Sequence, residues 1–202
     1  MIVPVIHCLN WKQIDENLRV CSRNGITMVF LINHSIDETS VSELIEWFNL
    51  ARAAYPDMKI GVNFLQLKTS DSCKLCDAIG ADAVWSDYPG ERFGRPQLFG
   101  GVAFKYQKHV PEDRLEEACK TAMLNVDVIT TSGPATGKPA SFDKIRRMRS
   151  YIGDHKLAVA SGVNAQNKAE FDKHVDYLLV ASSITDKGEM IIERSLIELI
   201  NS

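Results

Sequence analysis

KLAVASGVNAQNKAEFDKHVDYLLVASS, residues 156–183, decides the fold of this chain. It holds two short apolar runs, Lys156–Ala160 and Tyr177–Ala181, neither of which alternates polar with apolar residues. Strands of that kind are covered on both faces. Between them lie a polar turn and a short helix-like stretch near Gln166–His174, the spacing of a parallel strand–helix–strand unit. Working outward, the same unit recurs. Apolar runs begin near Val3, Thr27, Met58, Asp82, Gly101, Val126, Lys156 and Asp176, which makes eight, at roughly one every 25 residues. All but one of the intervals carries a helical pattern. Eight strands alternating with helices have one common closed solution that leaves no sheet edge. The expected class is therefore α/β and the expected fold a (β/α)8 TIM barrel.

The elements follow from local signals. The strands are expected at Val3–Cys8, Thr27–Ile32, Lys59–Phe64, Ala83–Ser86, Val102–Tyr106, Asp127–Thr131, Lys156–Ala160 and Tyr177–Ala181. Helix one, Lys12–Arg23, is closed by Gly25. Ser40-Val41-Ser42-Glu43 reads as a capping box for the second helix, and Gly80 ends the third. Pro111 opens the fifth helix, Ser141 caps the sixth, and Met190–Ile200 is the closing helix. Asp87–Leu98 contains Pro89, Gly90, Gly94 and Pro96 and cannot be an ordinary helix, so the alternation breaks there.

Composition narrows the function classes. With 202 residues the chain is short for this barrel, and residues 1–202 are expected to form one domain. A net charge of −3 gives no basic stripe, which argues against a nucleic-acid partner. No apolar stretch approaches the length of a membrane span, and the N-terminus reads as a strand, not a signal peptide. The 5 cysteines form no disulfide framework, so a reducing cytoplasm is expected. A homodimer is expected because association is common among small barrels.

In such a barrel the chemistry belongs at the C-terminal strand ends. Those windows hold His7, Asn33 with His34, Asn63, Asp87, Lys105, Thr131 with Ser132, Ser161 with Gly162, and Ser182 with Ser183. Lys105 follows Val-Ala-Phe, so its ammonium is expected where the strand still faces the mouth, against a phosphate or carboxylate or as a Schiff-base amine. The alternative is a lysine already in water. Ser161-Gly162-Val163-Asn164 and Ala181-Ser182-Ser183 follow strands seven and eight, where barrels often hold phosphate on backbone N–H groups. The plain alternative is a turn with capping serines. Asp87 and His7 are the acid–base candidates, and Asn63 and Thr131 would orient the ligand.

Ser132–Ala140 echoes a nucleotide-binding loop but has three residues between its glycines, and Pro139 stands where a magnesium-binding hydroxyl is needed. It reads better as a lid, with Thr136 and Lys138 reaching the ligand, or as a rigid surface turn. Cys73-Lys74-Leu75-Cys76 has redox-motif spacing but falls inside a helix, where core packing is expected. The histidines show no paired ligand spacing, so no metal is assigned, and the cofactor is left open.

With these residues placed, the chain resembles the BtpA/SgcQ family of barrels, and through it the ribulose-phosphate-binding barrels. The resemblance is carried by Gly61–Leu65, Ala78–Asp82, Phe104-Lys105, Gly133–Pro139, Ala160–Asn164, Val180–Ser183 and Lys187-Gly188. It implies the barrel and a phosphate-type site more than a reaction. The chain departs from the family in having Cys8-Leu9-Asn10-Trp11 after His7, where a proline-rich stretch is usual, and Ala181 in place of glycine. Two functions are carried forward. One is an enzyme, a lyase, isomerase or hydrolase, acting on a small phosphorylated metabolite such as a sugar phosphate or nucleotide-like compound. The other is an inactive barrel serving as a ligand-binding or assembly factor.

Overall fold

The computed structural model describes residues 1–35, 37, 39–105 and 107–202. Eight parallel strands close into a barrel in sequence order: β1 Ile2–His7, β2 Met28–Ile32, β3 Lys59–Asn63, β4 Ala83–Ser86, β5 Gln97–Gly101, β6 Val128–Ser132, β7 Lys156–Ala160 and β8 Tyr177–Val180. β1 pairs with both β2 and β8, so no strand edge is left open. Around the barrel lie α1 Trp11–Arg23, α2 Ser40–Ala54, α3 Thr69–Ile79, α4 Leu115–Met123, α5 Phe142–Ile152, α6 Lys168–Phe171 and α7 Glu193–Asn201. A small antiparallel hairpin, β9 Thr185–Asp186 with β10 Met190–Ile191, precedes α7. The closing helix therefore starts at Glu193, because Met190 and Ile191 are spent on that hairpin. No described helix is long and apolar enough to cross a membrane. All five cysteines are free and buried, Cys73 and Cys76 among the core side chains of α3.

Alternation sorts each strand into two cores. Val29 and Leu31, Ile60 and Val62, and Leu157 and Val159 face the helices, while Val3, Val5, Phe30, Trp85, Phe99, Val128 and Leu179 fill the barrel. Both faces are thus apolar, which is why the strands read as continuous runs.

A repeated device ties the N-terminal face. Asp82, Asp127 and Asp176 stand just before β4, β6 and β8. Each donates its N–H to a carbonyl of the preceding strand, at Ile60, Leu98 and Leu157. Each returns a carboxylate oxygen to that same residue's N–H, at 2.8, 2.8 and 3.0 Å. A cation then meets each carboxylate: Arg52, Arg92 and the pair Arg149 and Lys156. Burial would raise the Asp176 carboxyl, but bonds from Lys156, the Leu157 N–H and Arg149 outweigh it and hold it at about 2. Its ordinary value is 3.8, so this stabilisation is complete above pH 4 and is lost as the pH falls toward 2. Asp176→Asn is expected to cost about 2 kcal/mol and lower the Tm by about 4–8 °C at pH 7, with the gap narrowing near pH 2. Calorimetry across that range checks it.

The fifth strand differs from the sequence expectation. The ladder takes Gln97–Gly101 in place of Val102–Tyr106, and Tyr106 lies outside the described residues. The Asp127 tie to Leu98 sets this register, and no helix intervenes between β4 and β5. Phe104, freed from the ladder, turns back into the barrel against Trp85, with ring centroids 6.0 Å apart. The capping box is also absent. Ser40 is already helical and its hydroxyl donates to the Asp37 carbonyl, while Glu43 accepts from Asn33. Gly80 and Ser141 end and start their helices as expected, Gly80 at φ 74° and Ser141 accepting from the Lys144 N–H.

Candidate functional site at the barrel mouth

Following the register round the barrel, alternate strands contribute to common levels inside it. Phe30, Trp85, Thr130 and Leu179 share one level. Val5, Asn63, Gly101 and Ala160 form the next toward the C-terminal end. That second level has no aromatic side chain, the Asp87 backbone fills the space at Gly101, and a cavity of about 460 Å³ opens above it. Val5, Trp85, Ala160 and Leu179 line its floor, His7, His34 and Lys105 its wall, and Thr136, Ser161–Asn164 and Ala181–Ser183 its rim.

The rim is built from backbone. Ser161 and Gly162 both have positive φ, 78° and 71°. A Cβ on Gly162 would sit 2.2 Å from the Pro139 nitrogen, so the loop after β6 packs directly on this turn. Asn164 accepts from the N–H groups of Gln166 and Asn167, and Asn167 donates to the Gly162 carbonyl, which locks the turn. Among the described residues, no acceptor is paired with the N–H of Gly162, Val163, Ser182 or Ser183. Four donors on two adjacent loops are the kind of arrangement with which backbone can receive an anion.

Lys105 lies in the loop after β5, four residues beyond the strand, not at a strand end. Its N–H donates to Ser132 Oγ at 2.9 Å and its ammonium to Thr136 Oγ1 at 2.9 Å. Lys144 steadies that loop from α5, donating to the carbonyls of Ala103 at 2.6 Å and Ser132 at 2.9 Å. The His7 and His34 rings meet edge to face at 4.6 Å. Burial, then His34, then Lys105 depress the His7 imidazole to about 4. Burial and Lys105 also lower His34. Burial raises the Asp87 carboxyl, with Lys105 opposing.

The cavity wall thus gathers His7, Lys105, Thr136, Ser161, Gly162, Val163, Asn164, Ala181, Ser182 and Ser183. Asp87, Asn63, Thr131 and Lys138 are outside its lining. Thr131 faces the helix layer, where its hydroxyl donates to the Ala103 carbonyl at 3.4 Å; alternation sends its neighbour Thr130 inward. The Lys138 side chain is exposed, and what meets Gly162 is its backbone. Asn63 points inward at the level of Val5 and Ala160 but is 2% exposed. Sequence reasoning gave Trp85 and Thr130 no ligand role. Their signal is strand parity combined with buried polar atoms that lack a partner among the described residues, Trp85 Nε1 and Thr130 Oγ1.

The pKa values give a direct expectation. Unfolded His7 takes its proton near 6.5 and native His7 near 4, so the native state loses stability as the pH falls through that window. A phosphate in the cradle opposes the repulsion from Lys105, and the His7 titration is expected to move upward. Imidazole NMR titration with and without inorganic phosphate reads this; an unmoved titration at saturating phosphate would contradict it.

No family model matches this chain, and no curated protein matches it. Solved structures do. A native KDPGal structure superposes with TM-score 0.75 at 10% identity, over 99% of this chain and 92% of that one. Thiamine phosphate pyrophosphorylase from Pyrococcus furiosus gives 0.69 at 15%, over 99% and 93%. Phosphoribosyl anthranilate isomerase in complex with reduced 1-(o-carboxyphenylamino)-1-deoxyribulose 5-phosphate gives 0.65 at 13%, over 100% and 97%. At such identities the likeness establishes the (β/α)8 fold.

Proposed function

We propose that this protein binds and transforms a small phosphorylated metabolite at the C-terminal mouth of its barrel. The observation that carries the reading is the cavity's charge pattern. Among the described residues its lining contains the Lys105 ammonium, no carboxylate, and the four N–H groups of Gly162, Val163, Ser182 and Ser183 on one side. Donors without acceptors in a concave site suit a phosphate. Lys105 adds charge, Thr136 and the loop 132–140 cover the ligand, and neutral His7 is the proton acceptor. Two of the similar structures are named for phosphate compounds, thiamine phosphate and a ribulose 5-phosphate. Membership of the BtpA/SgcQ family is part of the proposal and rests on the residues quoted above.

A second reading, a barrel that binds without turnover, has one observation in its favour. His7 is depressed to about 4 and Asp87 is not on the cavity wall, so among the described residues no carboxylate pairs with the imidazole there.

A thermal-shift screen against phosphate esters tests the proposal. A ligand at 100 times its Kd adds about 2.7 kcal/mol, or about 5–10 °C for a chain of this length. Lys105→Met is expected to weaken the binding about tenfold or more. Binding with no turnover of any ester bound would favour the second reading; no shift with any ester sinks both.

A further inference from the structure

We propose that the ligand's end remote from its phosphate is a carboxylate, received inside the barrel by Trp85, Asn63 and Thr130. The inference rests on the phosphate reading above and names the substrate class for that same site, a phosphorylated short-chain carboxylic acid.

Three buried polar atoms among the described residues lie inside the barrel without a hydrogen-bond partner: Trp85 Nε1, Asn63 Nδ2 and Thr130 Oγ1. Their residues are 7%, 2% and 0% exposed. Buried polar groups are almost always paired, so three unpaired ones inside one barrel call for a partner. The strand register places them at two successive levels of the barrel interior. Ile32 is opposite Asn63, and one step further along the β3–β4 register Asn63 comes opposite Trp85. Thr130 is opposite Gly101, whose side-chain position is filled by the Asp87 backbone, and it shares a level with Trp85. Trp85 itself lines the cavity floor.

The chemistry of the set fixes the partner. An indole N–H and an amide NH₂ can only donate, and a threonine hydroxyl can donate. Lys105 on the wall is donor-only as well. A group recognised here must accept from several directions, and among the described residues the lining holds no carboxylate that would repel it. A carboxylate meets both conditions, with two oxygens and a negative charge. The reach is right. Two to three residues of strand separate the rim at Gly162 from these levels, roughly 7–10 Å. A three-carbon chain with phosphate at one end bridges that span with hydrogen bonds at both.

The test uses two probes that differ only at the remote end, 3-phosphoglycerate and glycerol 3-phosphate, titrated calorimetrically into the intact protein. The expected result is at least tenfold tighter binding of 3-phosphoglycerate, with a shift in tryptophan emission that Trp85→Phe abolishes. Thr130→Val, which keeps the side-chain shape, is expected to cut the preference threefold or more by weakening 3-phosphoglycerate. Equal affinity for the probes, or tighter glycerol 3-phosphate, overturns the carboxylate while the phosphate reading stands. A preference that survives unchanged in both variants overturns the assignment to these residues. If neither probe binds, the phosphate reading has failed and this one falls with it.

Discussion

Gly162→Asp is expected to lower affinity for any phosphate ester by about 100-fold or more, an effect of about 2.7 kcal/mol. Three causes act together. Gly162 has φ 71°, a region an L side chain enters at a cost of about 1–2 kcal/mol. Its Cβ would stand 2.2 Å from the Pro139 nitrogen and 2.5 Å from the Lys138 carbonyl carbon, both backbone atoms that cannot rotate away. The loop 132–140 must then lift off the rim and take Thr136 from Lys105. An added carboxylate also repels the phosphate from its own cradle. Gly153→Ala is the control. Gly153 also has positive φ, at 56°, but nothing lies within 4 Å of its Cβ, so it should lose stability without losing ligand. Calorimetric titration of both variants, with Tm measured alongside, separates the effects. Undiminished affinity in Gly162→Asp would remove the phosphate from this rim.

Where the sequence was readable, one physical signal dominated. β1, β2, β3, β4, β6, β7 and β8 are apolar runs without close competitors, and both faces of each are covered. β5 was misplaced because two candidates adjoin, Gln97–Gly101 and Val102–Tyr106, and neither is stronger by composition. A tertiary bond chose between them, the Asp127 carboxylate on the Leu98 N–H, and no local pattern encodes that. The mouth followed the same division. His7, Ser161–Asn164 and Ala181–Ser183 are fixed by where well-read strands end, and they line the cavity. Thr131 was one residue off because successive strand residues face opposite ways, so a boundary error of one exchanges barrel interior for helix layer. Trp85 read as packing, which is half of its character: its ring meets Phe30 and Phe104 while its Nε1 has no partner among the described residues.

Gly61→Ala is expected to destabilise the barrel by about 2–4 kcal/mol, although alanine suits a strand better than glycine by about 0.5–1 kcal/mol. The added Cβ would lie 2.3 Å from Phe30 Cε1 and 2.6 Å from Cδ1. Phe30 has nowhere to go. It is fully buried, with Trp85 at 5.8 Å and Phe99 at 5.1 Å between centroids, both edge to face. The ring must therefore push Trp85, and Trp85 is the floor of the ligand cavity. The cost of one methyl should appear in two places, in denaturant unfolding and in ligand affinity. Phe30→Leu alone leaves a void and costs about 1–2 kcal/mol. Combined with Gly61→Ala it gives the methyl room, so the double variant should be more stable than the sum of the single losses by about 1–2 kcal/mol. That coupling is the decisive quantity. Strict additivity would mean that Phe30 does not occupy the space above Gly61, and the stacked floor under the mouth would have to be redrawn.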